Sequence, residues 1–422
     1  MKAVINSGNK VSEVIRIPSS KSQTHRILIA AALADGPSVI HCPALNQDTW
    51  ATIEALRKLN VSIEIKENTV RVSGGADVMD YDGSVINCHE SGSTLRFLIP
   101  LLVKSGKECR FSGEGKLMQR PLEVYQQIYG SSGIFELKDN ILTVRGSNER
   151  PLYRIIGNIS SQFISGLLFA LPLEEHDSRI EIEPPVESLS YVDMTIGALS
   201  LAGINAVRNE NIIMIPGNQK YRPFSCTIAG DDSQAAFFIM QAMMRKRAVR
   251  IQGIDPASRQ GDNVILAIAE KAGAEISLED DILTVSGSQL WAINSDLSDC
   301  PDLGPILFAA AALCPQTSVF TGVSRLRLKE SDRIAAMKSE LEKIGCVFEE
   351  NENEVKITGV ERMPGGYEFD GHNDHRVVMA MAILSSCGQE PSIINGIEAV
   401  NKSYPDFFED LRKTSAEVSV HD

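Results

Sequence analysis

Six segments of this chain repeat one outline at nearly constant spacing, and that regularity limits the possible folds more than any single motif. They begin at Lys21, Ser91, Ser160, Asp231, Asp302 and Asp374, so successive starts lie 70, 69, 71, 71 and 72 residues apart. Each opens with polar or charged residues, continues as an apolar helix, breaks, and ends in a short strand, as in "KSQTHRILIAAALADGPSVIHCP" and "PDLGPILFAAAALCPQTSVFTG". A second outline lies between them: an amphipathic helix, a Gly or Asn break, and two period-2 apolar runs around a polar turn, clearest in "ATIEALRKLNVSIEIKENTVRVSG". The sixth copy shortens to "FFEDLRK" near the C-terminus. The unit is therefore helix–strand–helix–strand–strand, too large for a conventional solenoid repeat and too poor in strands for a propeller blade. Alternating helix and strand set the class as α/β or α+β, and six units divide into two similar three-unit domains.

The first helix of each unit is apolar nearly all round, as in "ILIAAALA", "FISGLLFALP" and "ILFAAAAL". Such helices are buried, so their polar starts must emerge at a surface, and six of them can face a shared space. Those starts hold a contradiction. Lys21, His25 and Arg26 crowd the first, Arg96 follows Ser91, Gly92 and Ser93 in the second, and His375 and Arg376 follow Asp374 in the sixth. A helix N-terminus carries partial positive charge, so cations there are disfavoured unless an anion sits with them. Ser160, Ser161 and Gln162 open the third helix, Asp231 and Asp232 the fourth, and Asp302 the fifth. Arg120 in "LMQRPLE", Lys329, Glu330, Asp332 and Arg333 in "LRLKESDRIAAM", and Lys402 in "NKSYPDFFEDL" stand before helices of the second kind. Taken singly these are ordinary caps and solvated helix starts. Together they describe a pocket for small anions.

The totals narrow the partners. Net charge is −14, from 41 basic and 55 acidic residues, which argues against a nucleic-acid coat or an anionic membrane as main partner. The N-terminus "MKAVINSGNK" has no apolar signal region, and no apolar run approaches a membrane span, so a cytoplasmic protein is expected. The 8 cysteines form no C-x-x-C pair and read as buried thiols in a reducing compartment. Phosphate-loop, dinucleotide and nucleophile-elbow motifs are missing. His372 and His375 flank Asp374 in "GHNDHR", but two histidines beside an arginine with no third ligand make a poor metal site. No metal or organic cofactor is expected.

The clusters "PSSKSQTHR", "SGSTLR", "QRPLE", "SSQFISGLL", "SYVDMT", "GDDS", "PDLGPILFAA", "LKESDR", "NDHR" and "NKSYPDFFE", in this order, resemble the 5-enolpyruvylshikimate-3-phosphate synthases nearly end to end. The resemblance implies two inside-out α/β barrels, helices within, each of three units. One comprises residues 1–18 plus 229–422 and the other residues 19–228, with crossings near Ile17–Ser20 and Thr227–Gly230 and a ligand cleft between the domains. It implies transfer of the enolpyruvyl group of phosphoenolpyruvate to the 5-hydroxyl of shikimate 3-phosphate, through a tetrahedral intermediate, with loss of phosphate. By matching position, shikimate 3-phosphate is expected at Lys21, Ser22, Arg26, Ser160, Ser161, Gln162, Ser188, Tyr191, Asp302 and Lys329. Phosphoenolpyruvate is expected at Lys21, Gly92, Arg120, Gln162, Arg333, Arg376 and Lys402. Asp302 is the candidate base, and Lys21 and Glu330 are alternative acids. A monomer acting on these two small molecules in aromatic amino-acid biosynthesis, and a target of glyphosate, is implied.

Three positions depart from the family pattern: Glu90 where Asn or Asp is common, Ser93 for the usual Thr, and Arg325 where some members have Asn. Two relatives of similar fold fit less well. UDP-N-acetylglucosamine enolpyruvyl transferases carry a loop Cys where this chain has Arg120, and RNA 3′-terminal phosphate cyclases need a nucleotide site. A non-catalytic anion-binding scaffold would have no reason to keep Lys21, Asp302, Glu330 and Arg376 together.

Overall fold

The computed structural model describes residues 1–8, 13–42, 44–75, 80–131, 133–414 and 416–422. The chain forms two compact units, Met1–Pro18 with Ala229–Asp422, and Ser19–Ile228. The helices of the Ser19–Ile228 unit are α1 (Lys21–Leu33), α2 (Gln47–Lys58), α3 (Gly92–Val103), α4 (Glu123–Tyr129), α5 (Ser161–Ala170) and α6 (Leu189–Leu201). Those of the other unit are α7 (Asp232–Arg245), α8 (Ile265–Lys271), α9 (Gly304–Ala311), α10 (Arg333–Glu342), α11 (His375–Ser385) and α12 (Phe407–Lys413).

The odd-numbered helices are the apolar ones, and they are buried as their sequences require. Every residue of α9 and α11 is buried, and all of α7 except Arg245. In α3 and α5 the exceptions are Ser93 and Gln162, both in the first turn, where the helix reaches the surface. The even-numbered α2 buries one face, through Thr49, Ala51, Thr52, Ile53, Ala55 and Leu56. Each unit has its own apolar core built on its three buried helices.

Among the described residues, four-stranded sheets of one topology lie around those helices, three to a unit. In one, Val85–Asn87, Cys109–Ser112, Ile141–Arg145 and Ile134–Lys138 lie side by side; the first pair is parallel and the rest antiparallel. The parallel pair is joined through buried α3, as a crossover connection requires, and the last two strands form the hairpin expected around "KDN".

The structure corrects the repeat outline in two respects. Each unit begins with a further short strand before its buried helix, so the pattern is strand–helix–strand–helix–strand–strand. For α1 that strand is Val14–Arg16, which pairs with Val249–Gln252, and for α7 it is Ser225–Thr227, which pairs with Pro37–His41. These are the two points where the chain passes from one unit to the other. Nor does the sixth copy end at "FFEDLRK": the strand Ala416–His421 follows it. Lys2–Ser7 takes the position of its missing hairpin strand, between Ser392–Asn395 and Ala416–His421. Both chain ends are thus held in one sheet. Among the described residues no helix is long and apolar enough to cross a membrane.

Candidate active site

In the Ser19–Ile228 unit the starts of α1, α3 and α5 are capped by Ser20, Ser91 and Ser160, whose hydroxyls accept from Gln23 N (3.4 Å), Thr94 N (3.2 Å) and Gln162 N (3.3 Å). None of the three has an acidic residue in its first turn. The field of each helix is left for something else to meet.

At Gly92 the backbone comes close to this polar space. A Cβ there would lie 2.7 Å from Arg96 Nη1 and 3.3 Å from both Arg120 Nη1 and Gln162 Oε1. Arg96 Nη1 donates to Gln162 Oε1 (3.0 Å), Arg96 Nη2 to the Pro121 carbonyl (2.9 Å), and Gln162 Nε2 to Ser93 Oγ (3.1 Å). The structure therefore brings Gly92, Arg120 and Gln162 together, with Arg96 among them.

Arg26 is buried with its charge. Nε donates to Thr195 Oγ1 (2.8 Å), Nη1 to the Ser22 carbonyl (2.7 Å) and Nη2 to Ser165 Oγ (3.3 Å), and the guanidinium sits 5.0 Å from the Phe97 ring centroid and 5.8 Å from that of Tyr191. Burial brings its pKa down to about 10, so it stays charged at neutral pH. Ser188 leads into α6, the helix that carries Tyr191 and Thr195, in the left-handed region (φ 58°), fully buried, a strained placement for a residue with a Cβ. Lys21 Nζ lies 3.0 Å from Asp48 Oδ2. His25 Nδ1 meets Thr52 Oγ1 (2.7 Å), which meets Thr94 Oγ1 (2.7 Å), which donates to Ser91 Oγ (2.8 Å). Burial, then Lys21 and Arg26, push the His25 pKa well down, so this chain tying α1, α2 and α3 is neutral.

In the other unit a single carboxylate gathers the cations. Asp302 lies in a 3-10 turn (Pro301–Leu303) just before α9 rather than in the helix itself. Its Oδ1 accepts from Lys329 Nζ (3.3 Å) and Arg333 Nη1 (2.8 Å), and its Oδ2 from Arg376 Nη2 (3.0 Å). Arg333 is 1 % exposed; it also donates through Nη2 to Glu330 Oε2 (2.8 Å) and through Nε to Asp374 Oδ2 (2.9 Å). Burial would make the Arg333 charge costly, but Asp374, Glu330 and Asp302 reverse the effect and raise its pKa. Asp374, capping α11, also accepts from Ser331 Oγ (3.0 Å) and Arg376 N (2.9 Å). Arg376 Nη2 donates to Ser233 Oγ (2.9 Å), whose hydroxyl bonds Asp231, the cap of α7. The starts of α7, α10 and α11 and the turn before α9 thus form one polar network. Lys402 Nζ donates to the Asn373 carbonyl (2.9 Å) and Oδ1 (3.2 Å). Burial lowers the Lys329 pKa to about 8, opposed by Asp302 and reinforced by Arg333 and Arg325.

Some of these cations thus have protein carboxylates as partners, Lys21 with Asp48, and Lys329, Arg333 and Arg376 with Asp302, Arg333 also with Glu330 and Asp374, while the contacts given above for Arg26, Arg96 and Lys402 are to neutral groups. The contradiction in the sequence is met in part from within. Several of these partners escaped sequence reasoning. Asp48 lies outside every quoted motif; Ser165, Thr195 and Asn373 lie inside "SSQFISGLL", "SYVDMT" and "NDHR", but nothing in those motifs marks them as partners of Arg26 or Lys402. Of the departures, Glu90 packs against Gly115, where a Cβ would lie 2.8 Å from its carboxylate, and Arg325 is buried near Lys329. Among the described residues no group of His, Cys, Asp and Glu is placed to hold a metal ion.

The profile of the EPSP synthase (3-phosphoshikimate 1-carboxyvinyltransferase) family matches residues 5–411. The chain belongs to the EPSP synthase family. It is 42% identical over 422 residues to the 3-phosphoshikimate 1-carboxyvinyltransferase of Clostridium kluyveri, covering 99% of this chain and 98% of that one. Identity to the protein of the same name from Clostridium novyi is 41% over 413 residues, covering 94% of each. Among solved structures, EPSP synthase from Acinetobacter baumannii superposes with a TM-score of 0.80 at 25% identity, over 99% of this chain and 100% of that one. The enolpyruvyl transferase NikO from Streptomyces tendae shares the fold, with a TM-score of 0.78 at 17% identity over 99% and 98% of the two chains. The inside-out α/β architecture expected from the sequence is that of the EPSP synthase family.

Proposed function

We propose that this EPSP synthase family member transfers the enolpyruvyl group of phosphoenolpyruvate to the 5-hydroxyl of shikimate 3-phosphate and releases phosphate. The observation that carries the assignment of roles is Asp302, whose carboxylate takes Lys329, Arg333 and Arg376 at once. A carboxylate so surrounded is held in place as a base, while its cations are drawn toward any incoming phosphate or carboxylate. Shikimate 3-phosphate is assigned to Lys21, Ser22, Arg26, Ser160, Ser161, Gln162, Ser188, Tyr191, Asp302 and Lys329. Phosphoenolpyruvate is assigned to Lys21, Gly92, Arg120, Gln162, Arg333, Arg376 and Lys402.

In the forward step Asp302 accepts the proton of the 5-hydroxyl as its oxygen bonds to C2 of phosphoenolpyruvate. The double bond's electrons take a proton at C3 from Lys21 or Glu330, giving the tetrahedral adduct. Loss of a C3 proton and cleavage of the C2–O bond to phosphate then restore the double bond in the product. The buried guanidiniums make no reaction themselves; their part is to hold two polyanions together in an environment of low dielectric.

The test is Asp302→Ala. Calorimetry is expected to show shikimate 3-phosphate still binding, while turnover falls about 100- to 10,000-fold, the usual range for a lost general base. Unchanged turnover would refute the role of Asp302.

A further inference from the structure

His372, which with His375 makes a poor metal site, holds a turn in place through Glu340. His372 and Asn373 both adopt left-handed backbone, with φ of 50° and 52°. Two such residues in succession are strained and persist only where surrounding contacts impose them. The contacts are visible. His372 Nε2 lies 2.9 Å from Glu340 Oε1, and Glu340 Oε2 accepts from Asp370 N (3.0 Å) and from Lys343. His372 N donates to Asp370 Oδ1 (2.6 Å), and Asp374 N closes the turn onto the Gly371 carbonyl (2.8 Å). Glu340 is 2 % exposed, so its carboxylate is committed to this task rather than to solvent.

Glu340 and Arg333 lie on α10 two turns apart, hence on one face of the helix. The outer residue grips His372 and Asp370; the inner one grips Asp374. Between the two grips sits Asn373, which receives Lys402 through its carbonyl and its side chain. We propose that the Glu340–His372 pair is a positioning device for the phosphoenolpyruvate end of the site, fastening to α10 the strained turn that orients Lys402 through Asn373 and Arg333 through Asp374. This rests on the assignment of Lys402 and Arg333 to phosphoenolpyruvate made above.

The device is sensitive to pH. The groups facing His372 are Glu340 from α10, Lys343 just past the end of that helix, and Asp370 from its own turn. The hydrogen bond to Glu340 raises the His372 pKa above its ordinary value, and the same contact with that of Lys343 outweighs burial and holds Glu340 at about 2. The folded value of His372 being raised, the charged pair is complete below its ordinary pKa of about 6.5 and weakens as pH rises through the folded value. A neutral imidazole can still donate to the Glu340 carboxylate, but the attraction between opposite charges is then lost.

The experiment compares wild-type protein with His372→Gln and His372→Ala, measuring phosphate release against phosphoenolpyruvate concentration from pH 6 to 9. Calorimetric affinity for shikimate 3-phosphate alone and the melting temperature serve as controls of the fold. For the alanine variant KM for phosphoenolpyruvate is expected to rise roughly tenfold, short of the ~100-fold that an ångström of misplacement costs, with shikimate 3-phosphate affinity unchanged. The glutamine variant, which restores a donor without a titrating group, is expected to recover part of that KM and to lose its rise with pH. Titration of the substrates and of Lys329 is common to all three proteins and cancels in the ratios. Wild-type turnover with variants of the same KM and pH profile overturns this proposal and leaves the activity standing. A wild-type protein that releases no phosphate overturns both.

Discussion

Replacing Asp374 by Ala separates a structural carboxylate from the cations it serves. Asp374 is fully buried and accepts from Arg333 Nε (2.9 Å), Arg333 Nη2 (3.4 Å), Ser331 Oγ (3.0 Å) and Arg376 N (2.9 Å). Breaking a buried ion pair by removing one partner costs about 3–5 kcal/mol. Arg333 keeps Asp302 and Glu330, which places the loss near the lower end, about 3 kcal/mol. The lost cap of α11 adds about 1 kcal/mol. At about 2–4 °C per kcal/mol for a unit of this size, the midpoint should fall by about 8–16 °C. Asp374→Asn keeps a capping acceptor and should fall by about 6–12 °C, the cost of the charge alone. Burial pushes the Asp374 pKa up, but Arg333 overrides it and holds the carboxyl below its ordinary value. Its contribution is therefore present in full above the ordinary pKa of about 3.9 and lost as pH falls through the lower folded value. Scanning calorimetry of wild type and both variants, at neutral pH and in acid, reads all of this. A midpoint for Asp374→Ala within about 2 °C of wild type at neutral pH would refute the claim that Asp374 neutralises Arg333.

Three further outcomes follow from the same geometry. Lys329, with its pKa brought to about 8, should lose its charge as pH rises past that value, so shikimate 3-phosphate affinity should weaken there; Lys329→Arg should abolish that limb, and persistence of the limb would contradict the assignment. Gly92→Ala sets a Cβ 2.7 Å from Arg96 Nη1, a flexible end that can move, so stability should change by less than about 1 kcal/mol while KM for phosphoenolpyruvate rises. Arg26→Lys forfeits the fork that serves Thr195 and Ser165 together and the contact with Phe97; denaturant midpoints should report a loss of about 2 kcal/mol, with weakened shikimate 3-phosphate binding by calorimetry.

How much of this was legible beforehand follows from how strongly each feature marks its residues. The buried helices announced themselves because "ILFAAAAL" has no polar face, and burial left it none to need. Most of the strands before them were overlooked because three residues, as in Val85–Asn87, are too few to show a period; Leu152–Ile156, with five, is the exception. The sixth sheet was misjudged for another reason: its completing strand, Lys2–Ser7, lies at the far end of the chain, where no local pattern connects it to "FFEDLRK". The cations of the site were readable as violations of helix electrostatics. Their partners were not, since Thr195 or Asn373 is unremarkable until the fold sets it beside Arg26 or Lys402. His372 was passed over, since with His375 it makes a poor metal site and its partner Glu340 lies far back in the chain, where no local pattern connects the two.

The central claim is that these helix starts bind two polyanions together and drive enolpyruvyl transfer from one to the other. Phosphate release by the purified protein measures it most directly, with shikimate 3-phosphate and phosphoenolpyruvate both present and with each omitted in turn. Release that requires both is the predicted result; release from phosphoenolpyruvate alone, or none with both, would contradict the account.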